Sequence, residues 1–172
     1  MKQQGFIHLY TGNGKGKTTA AFGLAVRALF AGKRVFIGQF VKSMKYHETR
    51  LENLFDTLTI RQFGRGCFIR RQAEPEDVEM ARQGMEVCRE ALSGGAYDLV
   101  ILDELTIALY YKLVTTGDVL ELLHRRTPGT EVVITGRYAS EELIEAADLV
   151  TEMREVKHYY TKGVEARDGI ER

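Results

Sequence analysis

Cysteine, proline and net charge are all scarce in this chain of 172 residues. Its two cysteines, Cys67 and Cys88, have neither metal-ligand spacing nor the density of a small secreted scaffold, which points to a reducing, cytoplasmic compartment. Two prolines beside 44% apolar and 28% charged residues exclude a disordered chain. Twenty-four basic residues balance 24 acidic ones, so no global field draws the protein to nucleic acid or to an anionic membrane. Any anion must be held by a local site. No stretch reaches the roughly 20 apolar residues of a membrane span, and residues 1–4 lead into the first apolar run without a signal-peptide core. The expectation is a soluble, unprocessed protein with one domain, residues 1–172.

What is present is an alternation of short apolar runs and amphipathic stretches. Residues 6–10 (FIHLY) read as a buried strand. The glycine-rich residues 11–16 separate it from a helix starting near Lys17, whose Ala21, Leu24, Ala25, Ala28 and Leu29 share one face and which Gly32 would stop. Residues 34–41 (RVFIGQFV) form the next strand, and the sequence strand, helix, strand makes a βαβ unit with a right-handed crossover. Residues 42–53 are charged and weakly periodic, 57–63 (TLTIRQF) alternate as a strand, and 64–72 read as a basic loop. Glu74, Pro75, Glu76 and Asp77 open a helix predicted to reach about Leu92. Residues 97–105 (YDLVILDEL) are nearly continuous apolar sequence with two carboxylates at the end, as a central parallel strand covered on both faces requires. Helices are predicted over 118–125 and 140–147, the second capped by Ser140, and strands over 131–135 (EVVIT) and 149–156.

The chemistry is concentrated in TGNGKGKTT, residues 11–19, which ends in the Gly-Lys-Thr of a phosphate-binding loop and lies between a strand and a helix. Glycines let backbone N–H groups turn around phosphate oxygens, the helix N-terminus adds a partial positive charge, and Lys17 adds a full one. Gly12, Asn13, Gly14, Lys15, Gly16, Lys17, Thr18 and Thr19 are therefore the candidate nucleotide-binding residues. The Thr18 hydroxyl can hold Mg²⁺, or Mn²⁺ in its place, and Asp103 or Glu104 can reach the same ion from the end of the apolar strand. Spacing does not decide which carboxylate does so. Arg137, just after EVVITG, is the leading candidate for an extra phosphate contact, with Lys42, Arg65, Arg70 and Arg71 also placed after strands. The four histidines share no spacing and carry no metal expectation. Together these readings imply an α/β fold of the P-loop NTPase, RecA-like kind, a mostly parallel sheet with helices on both faces.

Five segments carry a resemblance to a known family. YTGNGKGKTTAAFGLAVRALFAGKRV, then GQFVKS at 38–43, LDELT at 102–106, ITGR at 134–137 and VKHYYTKGVEARDGI at 156–170 resemble the P-loop ATP:corrinoid adenosyltransferases, in matching order over nearly the whole chain. The resemblance implies transfer of the 5′-deoxyadenosyl group of ATP to a Co(I) corrinoid, with cobalt attacking C5′ and inorganic triphosphate leaving. It also implies ATP bound by residues 12–18, Mg²⁺ held by Thr18 and Glu104 with Asp103 behind them, a homodimer, and a flavodoxin-like flavoprotein that reduces Co(II) to Co(I). Lys17 would brace the departing triphosphate, and an aromatic after the third strand, here Phe68, would displace the lower axial ligand of cobalt.

Four departures from the family pattern are visible. Thr11 stands where G-x-x-x-x-G-K-[ST] begins with glycine, which suits the reversed ATP orientation of the family. Phe68 is shifted by one position from Gly-Phe-x-Trp, and the chain has no tryptophan. The chain starts five residues before Phe6, where some members carry a segment covering the active site, so the expected corrin cover is looser or comes from elsewhere. Ser43 replaces the glycine that usually follows Phe-x-Lys, with no consequence attached. Two other readings share the loop: a P-loop nucleoside kinase, which would form ADP, and a nucleotide-switched RecA-like binding module, whose ATP hydrolysis DNA or a protein would stimulate.

Overall fold

The computed structural model describes residues 4–65 and 73–171. Six strands, β1 (Ile7–Thr11), β2 (Val35–Phe40), β3 (Leu58–Phe63), β4 (Leu99–Asp103), β5 (Glu131–Thr135) and β6 (Leu149–Glu152), form one sheet in the order β3-β2-β4-β5-β1-β6. Every pairing is parallel, so the expected α/β architecture holds with a sheet that is wholly rather than mostly parallel. The inner strands explain this. All six residues of β2 and all five of β4 are buried, and runs apolar on both sides need helices above and below.

One face of the sheet is covered by α1 (Lys17–Phe30), whose Ala21, Phe22, Ala25, Ala28 and Leu29 pack on Ile37, Ile101 and Val133. The other face carries α2 (Pro75–Ser93), α3 (Leu105–Tyr110), α4 (Thr116–His124) and α5 (Glu141–Ala146), which bury Met85, Leu92, Leu105, Leu122 and Leu143 against Val100, Leu102 and Ile134. Capping follows the sequence signals. Glu74 and Asp77 form a reciprocal capping box before α2, Thr115 and Asp118 do the same before α4, and Ser140 accepts from the Leu143 N–H.

Three sequence-based boundaries move. The strand expected over 97–105 is β4, Leu99–Asp103 alone, because Glu104 takes a left-handed conformation (φ 59°, ψ 21°) that turns the chain into α3. That helix is absent from the sequence-based reading, since the six residues LTIALY are too short and too uniformly apolar to show a helical period. The last strand ends at Glu152 rather than 156, and part of the polar stretch 42–53 closes into a 3₁₀ turn, His47–Asn53.

Helix α1, which follows β1, and helices α3 and α5, which follow β4 and β5, lie on opposite faces, so a crevice opens at the carboxyl ends of the inner strands, the place where open α/β sheets bind ligands. Left-handed backbone gathers there too. Val41, Glu104 and Tyr138, at φ 60°, 59° and 60°, lie just beyond β2, β4 and β5. For a β-branched residue such as Val41 this conformation costs energy, and such costs collect at functional edges.

Candidate nucleotide site

The loop after β1 turns at Gly12 (φ 96°) and Gly16 (φ 117°), which glycine alone adopts without strain. It is clasped by the chain that follows β6. The Thr11 carbonyl accepts from the Met153 N–H at 2.8 Å, and the Gly14 N–H donates to the Met153 carbonyl at 2.6 Å. A Cβ on Gly14 would stand 2.6 Å from that same oxygen, so this approach also requires glycine.

Helix α1 begins directly from this loop with no side-chain cap and no acidic residue in its first turn, leaving its first N–H groups for an anion. Lys17 is buried inside the loop, its ammonium donating to the Gly12 and Gly14 carbonyls at 2.8 and 2.7 Å. Burial, and then the positive charge of Arg137, hold its pKa below the usual lysine value. Two cations that disfavour one another, set beside free helix N–H groups, make a place where an added anion is attracted.

The two carboxylates at the end of β4 have opposite surroundings. Asp103 is fully buried and accepts from Thr18 Oγ1 at 2.8 Å, Thr135 Oγ1 at 2.7 Å, Gln39 Nε2 at 3.0 Å and Lys42 Nζ at 2.8 Å. Burial acts to raise its pKa, but the Lys42 charge and the hydroxyl donors overcome it and keep Asp103 ionised below the ordinary carboxylate range. The reverse holds for Lys42: burial works against its charge, and Asp103 and Glu104 more than restore it. Glu104 lines the cleft beside Thr18 and Lys17, and among the described residues no hydrogen bond reaches its carboxylate. Burial, reinforced by the charge of Asp103, raises its pKa.

The two carboxylates, which spacing does not distinguish, thus differ in their surroundings. Four donors occupy Asp103 on the inner side, whereas Glu104 and Thr18 present hard oxygen atoms to the cleft. The described residues contain no cluster of three His, Cys, Asp or Glu side chains, so a cation here would complete its shell from water or ligand oxygens. Mg²⁺ is usually bound in that way.

Arg137 reaches the cleft from the chain after β5. Gly136 (φ 138°) makes this turn, where a Cβ would lie 2.2 Å from Thr106 Oγ1, and the Thr106 hydroxyl donates to the Arg137 carbonyl at 2.6 Å. The cleft, about 740 Å³, is walled by Tyr110, Tyr111 and Tyr138, with the Tyr110 and Tyr138 rings 4.3 Å apart. Further walls are the chain after β2, through Tyr46, His47 and Glu48, and the C-terminal segment, through His158, Gly169, Ile170 and Glu171.

The other sequence-derived candidates divide as follows. Gly14, Lys15, Gly16, Thr18 and Thr19 line the cleft, but Lys15 is tied to the C-terminal segment through Glu171 at 2.8 Å. Lys42 lines the cleft and is paired with Asp103, whereas Arg65 pairs with Glu74 and Glu76 away from it. Phe68, Arg70 and Arg71 lie outside the described residues. Gln39 and Thr135, which hold Asp103, were not singled out from sequence. Their signal was a polar side chain inside an otherwise apolar strand, a position that demands a buried partner.

The fold and loop define a nucleotide-binding α/β protein of the P-loop kind. The family model described as ATP:corrinoid adenosyltransferase BtuR/CobO/CobP matches residues 3–172, and the chain belongs to that family. It is 38% identical over 173 residues to a corrinoid adenosyltransferase from Sinorhizobium sp., covering 98% of this chain and 81% of the relative. It is 36% identical to the corrinoid adenosyltransferase of Escherichia coli K12, covering 98% and 86%. It is 35% identical to corrinoid adenosyltransferase CobA of Salmonella typhimurium LT2, covering 99% and 87%.

Proposed function

We propose that this enzyme transfers the 5′-deoxyadenosyl group of ATP to the Co(I) centre of a corrinoid, with inorganic triphosphate as the other product, in the formation of adenosylcobalamin or its precursors. Family membership supports the reaction, and the observation that carries its chemistry is Lys17 lying within the phosphate loop, opposite Glu104 and beside Arg137. In the reaction the cobalt–C5′ bond forms as the bond from C5′ to the triphosphate oxygen breaks. Negative charge then grows on the leaving group. Lys17, the α1 N–H groups and Arg137 are the groups suited to stabilise it without moving, which is the efficient way to lower such a barrier. Thr18 and Glu104 would hold Mg²⁺, or Mn²⁺, which when bound supplies further positive charge to the triphosphate. Asp103 would act through Thr18, fixing the hydroxyl that faces the ion.

Several further parts of this reading rest on the family. Phe68 would displace the lower axial ligand of cobalt before reduction, a flavoprotein would deliver the electron, and the working form would be a homodimer in the cytoplasm. Among the described residues no helix is long and apolar enough to cross a membrane. Phe68→Ala should slow turnover starting from Co(II) corrinoid more than turnover starting from chemically prepared Co(I), and equal losses would remove that role.

The decisive assay incubates the protein anaerobically with ATP, Mg²⁺ and chemically reduced Co(I) cobalamin. Light-sensitive alkylcobalamin with stoichiometric triphosphate is the expected result. Formation of ADP, or ATP binding without alkylation, would overturn the assignment.

A further inference from the structure

The strap formed by residues 156–171 crosses the mouth of the cleft and is fastened on both sides. On one side His47, in the connection after β2, meets Asp168 at 2.8 Å. On the other, the Glu171 carboxylate is the centre of a compact cluster beside the phosphate loop. It accepts from Lys15 Nζ at 2.8 Å, from the Arg167 backbone N–H at 2.7 Å, from Arg167 Nε and Nη2 at 3.2 and 3.0 Å, and from the Tyr159 hydroxyl.

These donors fit an anion larger than a carboxylate. Five of them converge on two oxygens that offer about four lone-pair directions, whereas a terminal phosphate presents three oxygens to the same cations. The Lys15 ammonium has also spent its remaining hydrogens on Tyr159 Oη and the Ile170 carbonyl, both at 3.0 Å. Every contact of this phosphate-loop lysine is thus with the strap. The Arg167 guanidinium lies 4.9 Å from the Tyr159 ring centroid, which holds it in place on its own aromatic platform. Gly163 and Gly169, at φ 81° and 71° with open space around both, give the strap two points about which to swing.

We propose that Lys15, Arg167 and Tyr159 form an anion subsite beside the phosphate loop, in which the Glu171 carboxylate exchanges with a phosphate group of a bound triphosphate chain, so that filling the subsite frees Ile170 and Glu171 from the loop while Arg167 and Tyr159 carry the strap onto the bound phosphate. The inference rests on the nucleotide reading above and extends it. The phosphate group and the Glu171 carboxylate draw on the same donors, so each opposes the other by the same factor.

The test uses the full chain with inorganic tripolyphosphate and Mg²⁺, with no corrinoid present. Calorimetry should show binding, and hydrogen exchange of the Ile170 and Glu171 amides, which donate to the Arg167 carbonyl, should accelerate about tenfold at saturation. Glu171→Gln, which keeps the shape and removes the internal competitor, should bind tripolyphosphate about fivefold more tightly, and Arg167→Gln about fivefold more weakly. Equal or weaker binding by Glu171→Gln would overturn the exchange, as would unchanged or slower hydrogen exchange of the Ile170 and Glu171 amides in the saturated native protein. The latter measurement needs no variant. Failure of both ATP and tripolyphosphate to bind the native protein would remove the nucleotide reading itself, whereas binding with an unaltered strap removes only the subsite.

Discussion

Glu104 carries a carboxylate where burial and the neighbouring Asp103 both disfavour its charge. A folded pKa above the unfolded one contributes stability at low pH that is lost as pH rises through the folded value. Glu104→Gln should therefore raise the thermal midpoint at neutral pH, by a margin that shrinks as pH falls from the raised folded value toward the ordinary carboxylate value and is gone below it. Thermal denaturation across that range checks the sign. The same variant should lose most of its response to Mg²⁺ in the corrinoid assay if the charge that weakens the fold is the one that holds the cation, as proposed above. Asp103 has the opposite sign: its depressed pKa contributes stability at neutral pH that is lost as acid protonates it. Lys17→Ala removes a charge from inside the loop and should lower kcat/KM for ATP about a hundredfold. Wild-type turnover in that variant would take the loop out of the reaction.

At the level of elements, the site depends on turns that admit few residues. Gly136→Ala would combine φ 138° with a Cβ only 2.2 Å from Thr106 Oγ1, and should cost about 2–4 kcal/mol in urea denaturation while raising KM for ATP through displacement of Arg137. Loss of stability without a change in KM would separate the turn from the site. Most elements were legible because burial and periodicity agreed: β5 is EVVIT as read, α1 begins at Lys17, and α2 starts behind the Glu74 and Asp77 box. The signal failed where tertiary geometry overrode local pattern. Glu104 breaks its strand through a backbone angle that composition does not encode, so α3 has no counterpart in the sequence reading. The loop, Thr18 and the acidic pair were legible because each is a local motif. The division of labour between Asp103 and Glu104 was not, because it depends on Gln39, Lys42 and Thr135, contributed by two other strand ends.

Across the whole molecule, the strand that bears the phosphate loop and the strand that bears the acidic pair are not neighbours. β5 lies between them, and Thr135 at its end donates to Asp103 while accepting the Glu104 N–H at 3.0 Å. A ligand bound here therefore draws on the sheet as one body. ATP with Mg²⁺ at about 100 times its dissociation constant should stabilise the protein by about 2.7 kcal/mol, or about 5–10 °C in thermal midpoint. Hydrogen exchange should slow in β1, β4 and β5 together, and protection confined to the loop would argue against that cooperativity.

The hydrogen bond from Thr18 to Asp103 joins residues 85 positions apart, and that from Lys15 to Glu171 spans 156. Such separations make the site one of the last features of the molecule to be completed during folding, since local contacts close first. A chain emerging from the ribosome can expose the glycine-rich loop early, yet it lacks Asp103 and Thr135 until β4 and β5 have followed. Nucleotide affinity thus becomes a property of the assembled sheet, and ATP in the cell selectively secures chains in which β5 has paired with the loop strand.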